Sequence, residues 1–301
     1  MQFGSTNLVR TVPAEHIDEA VAFYAARPSG RGPADADELR EARALRGSTT
    51  TDDSAVERTV DAGGRSVPVR IIRPTVAPTR GVHLDIHGGG FYMDSAARGD
   101  VRNRELADAL GVAVVSIDYR LAPENPWPAA PDDCETAALW LTDNAARLFG
   151  TSLLTIGGFS AGATLAMTTL LRLRDKGVRS FAGAALQFGT YDLSGRTPAG
   201  RLISDEYFLE AYAGHVADRT LPDVSPIYGD LRDLPPLVLV VGVEDILLED
   251  NMAMASRLAA AGVDIDLRIY PASPHGFTNH PTAIAATARE DIRSWLSDRL
   301  G

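Results

Sequence analysis

Four short stretches carry residues whose types and order could do chemistry. Gly158-Phe159-Ser160-Ala161-Gly162 sets a serine between two glycines, after the apolar run Leu153-Leu154-Thr155-Ile156 and before a helical stretch from Ala161 to about Arg174. A buried strand, a sharp turn and a helix are what a nucleophile elbow requires. The glycines leave room for a strained turn, and the helix N-terminus offers free N–H groups and the positive end of a dipole. Alone the pattern is as common as any glycine-rich loop. His87-Gly88-Gly89-Gly90-Phe91 follows a strand, and three successive glycines allow backbone N–H groups to converge on a developing oxyanion; a flexible turn is the plainer alternative. Val241-Gly242-Val243-Glu244-Asp245 places an acid past an apolar strand, and Pro274-His275-Gly276-Phe277 places an imidazole past the next.

The order is serine, acid, histidine, which matches one of the three known chain orders of such residues and neither protease order. Serine is a poor nucleophile at neutral pH, so His275 would accept the Ser160 proton while Asp245 orients the imidazole. Gly89, Gly90 and the N–H of Ala161 would hold the oxyanion. His87 is read as a buttress of its own loop, His83 as packed in the sheet, and His280, before Pro281, as a surface or capping residue. His16 and His215 fall in segments expected to cover the site. Glu244, Glu249 and Asp250 compete with Asp245, and Asp250 reads as a helix N-cap.

These residues need a frame. Val56–Val60 and Val67–Ile72 alternate around Asp61-Ala62-Gly63-Gly64, an antiparallel hairpin pattern. Strands at Gly81–Ile86, Val112–Ile117, the elbow, Phe181–Phe188, Leu237–Val243 and Ile265–Tyr270 then alternate with helices near 97–110, 132–148, 161–174 and 250–261 and a last one to Leu300. This predicts an α/β class with a mostly parallel, eight-stranded sheet and helices on both faces. Its four chemical stretches fall at strand C-terminal ends, where such sheets place their sites.

Residues 1–50 differ, with helices expected over Pro13–Ala26 and Asp35–Leu45 around a Pro/Gly-rich break at Pro28–Pro33. Residues 191–227 also interrupt the alternation. Both are expected to form a helical cap over a catalytic region of residues 51–301, with Tyr207 and Phe208 from the insertion and Phe91 and Phe159 from the loops meeting substrate. The last strand alternates polar with apolar over 264–270, as suits a half-exposed edge that could pair with a second subunit in a homodimer.

Composition bounds the partners. The chain has 301 residues, 45% hydrophobic and 23% charged, with a formal net charge of −11. That balance argues against nucleic acid or an anionic membrane as a partner, since both need clustered Lys/Arg. Cys134 is the only cysteine, so neither an intrachain disulfide nor a cysteine-based metal site can form, and it reads as a buried structural thiol. No basic and apolar leader is visible in Met1-Gln2-Phe3-Gly4-Ser5, and no apolar run approaches the ~20 residues of a membrane span. A cytoplasmic location is the expectation.

Together the stretches resemble the hormone-sensitive-lipase-like esterases, bacterial lipolytic family IV, within the α/β-hydrolase fold. The resemblance runs through His87-Gly88-Gly89-Gly90-Phe91, Asp118-Tyr119-Arg120-Leu121-Ala122-Pro123-Glu124, the Ser160 elbow, Asp245 and His275-Gly276-Phe277, over about residues 55–300. It implies a carboxylesterase without cofactor or metal that acts on short- to medium-chain acyl esters, under a cap built from the N-terminal segment and an insertion. It also implies that the 118–124 loop braces its neighbours. The same machinery on a lactone, amide or carbamate is the near alternative, and a non-catalytic small-molecule receptor the distant one. Three positions depart from the family pattern: Phe159 stands where an acid is usual, Ala163 where a glycine is usual, and Ile246 where a proline is usual.

Overall fold

The computed structural model describes residues 8–27, 32–47, 49–76 and 78–301. The leader reading at residues 1–5 and residues 28–31 of the Pro/Gly break lie outside them. Helices α1 (Ala14–Ala25) and α2 (Ala36–Leu45) come first, followed by strands β1 (Val56–Ala62), β2 (Arg65–Ile72) and β3 (Gly81–Ile86). A single tight turn at Ala96–Gly99 then leads into α3 (Asp100–Leu110), later than the continuous helix expected from 97. The alternation continues as β4 (Val112–Ile117), α4 (Ala129–Phe149), β5 (Leu154–Phe159), α5 (Ala161–Asp175) and β6 (Phe181–Gln187). Two short helices, α6 (Pro198–Leu202) and α7 (Tyr207–Ala213), occupy the insertion. The chain closes with β7 (Leu237–Gly242), α8 (Leu248–Ala260), β8 (Ile265–Tyr270) and α9 (Ala283–Arg299).

All eight strands form one sheet in the order β1-β2-β4-β3-β5-β6-β7-β8. The β1–β2 and β2–β4 pairs are antiparallel and the remaining five are parallel. Side chains alternate across a strand, so β4 sends Ala113, Val115 and Ile117 to one core and Val112 and Val114 to the other. In β7, Leu237 and Leu239 face the first and Val238 and Val240 the second. Residues of α4, α5 and α8 fill the first core, and those of α1, α3 and α9 the second. Strand β3 breaks the apolar pattern on its second face with His83 and Asp85. Asp85 is held there by Arg102, Asn103 and Ser116 from α3 and β4, which replaces lost water with fixed donors. His83 contacts Thr155 Oγ1 at 2.9 Å, and burial pushes its imidazole down to about 4.

Two expectations change. The β8 edge is not free along its length: Val9 pairs in parallel with Ile269, and Arg10 N–H donates to Ile269 O at 2.7 Å. The chain's own N-terminal segment therefore occupies the far half of the edge proposed for a second subunit, leaving its first residues unpaired among the described ones. Asp250 is not an N-cap either. The cap position of α8 is Leu247, and Asp250 sits inside the first turn, buried, where its Oδ2 accepts from the N–H groups of Tyr191 and Asp192. It ties α8 to the start of the insertion. Among the described residues, no helix is long and apolar enough to cross a membrane.

Burial pushes the Asp250 carboxyl up to about 7. A raised native value means the folded state holds the proton more tightly than the unfolded chain. The stability this group contributes is therefore full below its unfolded range near 4 and is lost as pH rises through about 7. Urea midpoints of the wild type should fall across that window, and Asp250→Asn should flatten the fall; an equal fall in both proteins would refute the assignment.

Candidate active site

The site begins with close packing beneath the serine. Ser160 has φ 53° and ψ −125°, a strained backbone that persists only where surrounding structure holds it. A Cβ on Gly158 would lie 2.5 Å from Gly162 C and O, and one on Gly162 would lie 2.0 Å from Ile86 O and 2.6 Å from His87 O. Both glycines thus let α5 press against the end of β3. Ser160 N–H donates to Gln187 O at 2.9 Å and its carbonyl accepts from Ala163 N–H at 2.9 Å, so the turn is tied to β6 on one side and α5 on the other. Ala163 is fully buried.

His275 Nε2 lies 3.0 Å from Ser160 Oγ, and its Nδ1 lies 3.1 Å from both carboxylate oxygens of Asp245. A carboxylate only accepts, so Nδ1 carries the hydrogen and Nε2 presents its lone pair to the serine hydroxyl. The Asp245 side chain is wholly buried, and its Oδ1 also accepts from Leu247 N–H at 2.8 Å. The loops carrying the acid and the imidazole are in contact: Glu244 N–H donates to Ser273 O at 3.1 Å, and a Cβ on Gly242 would lie 1.8 Å from that same oxygen. Phe188 meets the His275 ring edge-on at 5.1 Å. Hydroxyl, imidazole and carboxylate in series can move a proton off the serine as it attacks an electrophile.

Gly89 and Gly90 have φ of +101° and +61°, conformations open to glycine at no steric cost. Among the described residues, none accepts from the N–H groups of Gly89, Gly90 or Ala161. All three residues line the cavity over Ser160. The loop is braced from behind. His87 Nδ1 donates to Gly88 O at 2.8 Å, the Tyr119 hydroxyl donates to His87 O at 2.9 Å, and the two rings stack with centroids 4.1 Å apart. Burial pushes the His87 imidazole down and the Tyr119 phenol far up, which keeps both neutral. Within the same 118–124 stretch, Asp118 accepts from Ala96 N–H, Arg120 grips Asp133, and Glu124 meets Arg43 of α2.

The other histidines are elsewhere. His280 Nδ1 is 3.1 Å from the Tyr24 hydroxyl of α1, so this half-buried residue joins α1 to the loop after His275. His215 is exposed beside Trp127, at 6.3 Å between centroids, and His16 lies on α1; neither lines the cavity. Cys134 is buried and its thiol is pushed up by burial.

The cavity measures about 500 Å³. Phe159 and Phe208 line it as expected from sequence. Phe91 reaches its wall but is fully buried, with its ring stacked on Tyr212 at 4.0 Å, so it supports the wall rather than presenting a face. Tyr207 is not a lining residue; it packs behind Tyr92 at 6.3 Å. Sequence reading missed Arg46, Asp94, Ile203, Glu206 and Asn279, which also line the cavity. They come from loops and short helices with no motif to mark them. Phe159 is set between the backbone of Gly88, whose added Cβ would lie 2.6 Å from the ring, and the Arg102 guanidinium, 4.7 Å above its centroid.

Comparison with known proteins agrees with this architecture. A family profile described as alpha/beta hydrolase fold matches residues 83–279. Carboxylesterase NlhH of Mycobacterium tuberculosis is 32% identical over 248 residues, covering 77% of this chain and 78% of that protein. A protein named FAD-linked oxidoreductase pytB, from Aspergillus terreus, is 33% identical over 251 residues, covering 77% of this chain; the chain spans only 30% of that protein's length. A solved hormone-sensitive lipase from a metagenome library superposes with a TM-score of 0.77 at 28% identity, covering 97% of this chain and all of that one. The chain belongs to the α/β-hydrolase family. Within it, the chain is a carboxylic ester hydrolase of the hormone-sensitive-lipase-like, family IV branch.

The packing at Gly162 is directly testable. Gly162→Ala forces α5 away from β3 and should cost about 3 kcal/mol, the upper part of the range for overpacking. Urea denaturation reads it, and a variant with an unchanged midpoint would contradict the contact.

Proposed function

We propose that the chain hydrolyses short- to medium-chain acyl esters through a covalent acyl-enzyme, with Ser160 as nucleophile, His275 as general base and acid, and Asp245 as its orienting carboxylate. The observation that carries this reading is the unbroken hydrogen-bond series from Asp245 through His275 to Ser160 at the foot of one cavity. Ser160 Oγ attacks the ester carbonyl carbon as its proton passes to Nε2. The carbonyl oxygen, now negative, faces the N–H groups of Gly89, Gly90 and Ala161. Collapse of this intermediate breaks the bond to the alcohol, which leaves with the proton from Nε2. Water, deprotonated by the same nitrogen, then releases the acid and restores the serine.

A cavity of about 500 Å³ with Phe159, Phe208 and Ile203 in its wall suits an acyl chain of a few carbons. Under this reading residues 1–50 and the insertion at 191–227 act as the cap, since Arg46, Ile203, Glu206 and Phe208 supply lining residues from both. Helix α1 contributes indirectly, through its packing on α9 and the Tyr24–His280 contact.

Ser160→Ala should lower kcat on p-nitrophenyl butyrate on the order of 10⁶-fold; a variant as fast as wild type sinks the proposal. Asp245→Asn should lower kcat about 10⁴-fold by leaving the imidazole in the wrong tautomer, with KM nearly unchanged. An effect confined to KM would deny the carboxylate its role. Across a series of p-nitrophenyl esters, butyrate should exceed palmitate in kcat/KM, and the reverse order would remove the chain-length assignment.

A further inference from the structure

Beyond Phe159 the catalytic cavity does not end. Arg46, Asp94, Phe159 and Asn279 line both that cavity and a second groove of about 600 Å³, which runs between the start of α3 and the loop of residues 278–281. The groove is basic within a chain of net charge −11. Four guanidiniums line it, from Arg46, Arg98, Arg102 and Arg289, against the carboxylates of Asp94 and Glu105 and that of Asp85 just beneath.

The pairing of these charges leaves one cation over. Arg46 and Arg98 share the single carboxylate of Asp94, at 3.1 and 3.5 Å. Arg102 is engaged by both oxygens of Asp85, at 3.1 and 3.0 Å. Arg289, half-buried, donates only to the carbonyls of Thr278 and His280, at 2.6 and 3.3 Å. Among the described residues no carboxylate lies within 4.0 Å of its guanidinium; Glu105 is near enough to act through space but makes no contact. Burial lowers the Arg289 pKa, whereas the paired arginines Arg70, Arg104, Arg120 and Arg172 are raised. A partly desolvated guanidinium with donors to spare is a receptor for a planar anion.

The partition between cavity and groove has the matching chemistry. Phe159 stands directly before the nucleophile, where an acid is usual in the resembling family, and its ring lies under Arg102. The phenyl ring adds no negative charge to this partition, where the one carboxylate common to cavity and groove, Asp94, is paired with Arg46 and Arg98.

We infer that this groove binds a carboxylate carried by the substrate, so that the esters preferred by this chain bear a free acid group remote from the scissile bond, received by Arg289. The inference rests on the esterase reading above. The acid could sit on the acyl or the alcohol side, and two pairs of probes separate these cases: monoethyl adipate against ethyl hexanoate, and 6-acetoxyhexanoate against hexyl acetate, each followed by pH-stat.

One pair should show kcat/KM for the anionic ester at least equal to that of its neutral isostere. Arg289→Gln should lower the anionic value about tenfold while leaving the neutral one unchanged, the loss of one charge-assisted contact. Arg289→Lys, which keeps the charge, should recover part of it. Equal losses on both members of a pair would mean that Arg289 only supports the 278–280 loop and would overturn the inference, as would neutral esters hydrolysed well and both anionic ones poorly. Calorimetric binding of the favoured anionic ester to Ser160→Ala needs no turnover. Binding weakened about tenfold by Arg289→Gln supports the groove even if wild type proves inert, which would then count against the esterase reading alone; absence of binding, with neutral esters still hydrolysed by wild type, overturns the groove alone.

Discussion

The contact between α5 and the end of β3 is the constraint on which the site depends. It is made of backbone on backbone, since neither Gly158 nor Gly162 leaves space for a Cβ. With the helix pressed that close, the chain can turn from β5 into α5 only through a residue of positive φ, and Ser160 is that residue. The strain lifts the serine above the sheet edge while the N–H of Ala161, at the start of α5, finds no acceptor among the described residues. The same approach brings the glycine loop after β3 alongside the elbow, so the N–H groups of Gly89 and Gly90 and the Ser160 hydroxyl are placed by one packing event.

The rest of the site is held by comparable locking of loops. The segment after β7 carries Asp245, the segment after β8 carries His275, and the two touch through Gly242 and Ser273. Their parallel strands fix the spacing, and burial of the carboxylate prevents water from competing for the imidazole N–H. Behind the glycine loop, His87 and Tyr119 form a stacked, neutral pair that satisfies carbonyls the turn would otherwise leave bare. Asp250 does a similar task between α8 and the insertion, at the expense of a carboxyl whose ionisation is disfavoured by its surroundings.

Under the proposed reading, Phe159 links the chemistry to selectivity. In direct sequence with the nucleophile, it packs on Gly88 from one side and carries Arg102 on the other. It therefore forms part of the glycine loop's support, the cavity wall and the rim of the basic groove.

Much of this was legible in the chain itself. Strand and helix order, the antiparallel start, the parallel remainder and the four reactive stretches follow from local periodicity and from glycines whose φ or close approach admits nothing else. Those signals are short-range, so one sequence carries them. Tertiary structure alone decided what depends on residues far apart in the chain. It buried the Phe91 ring against Tyr212, moved Tyr207 behind Tyr92, turned Asp250 from a helix cap into a tie, and laid Val9 and Arg10 on the β8 edge. It also brought Arg46, Arg98 and Arg289, separated by up to two hundred and forty-three positions, to one groove. Nothing in the local pattern marks an arginine as paired or spare, because its partner is chosen by packing and burial rather than by neighbours in sequence.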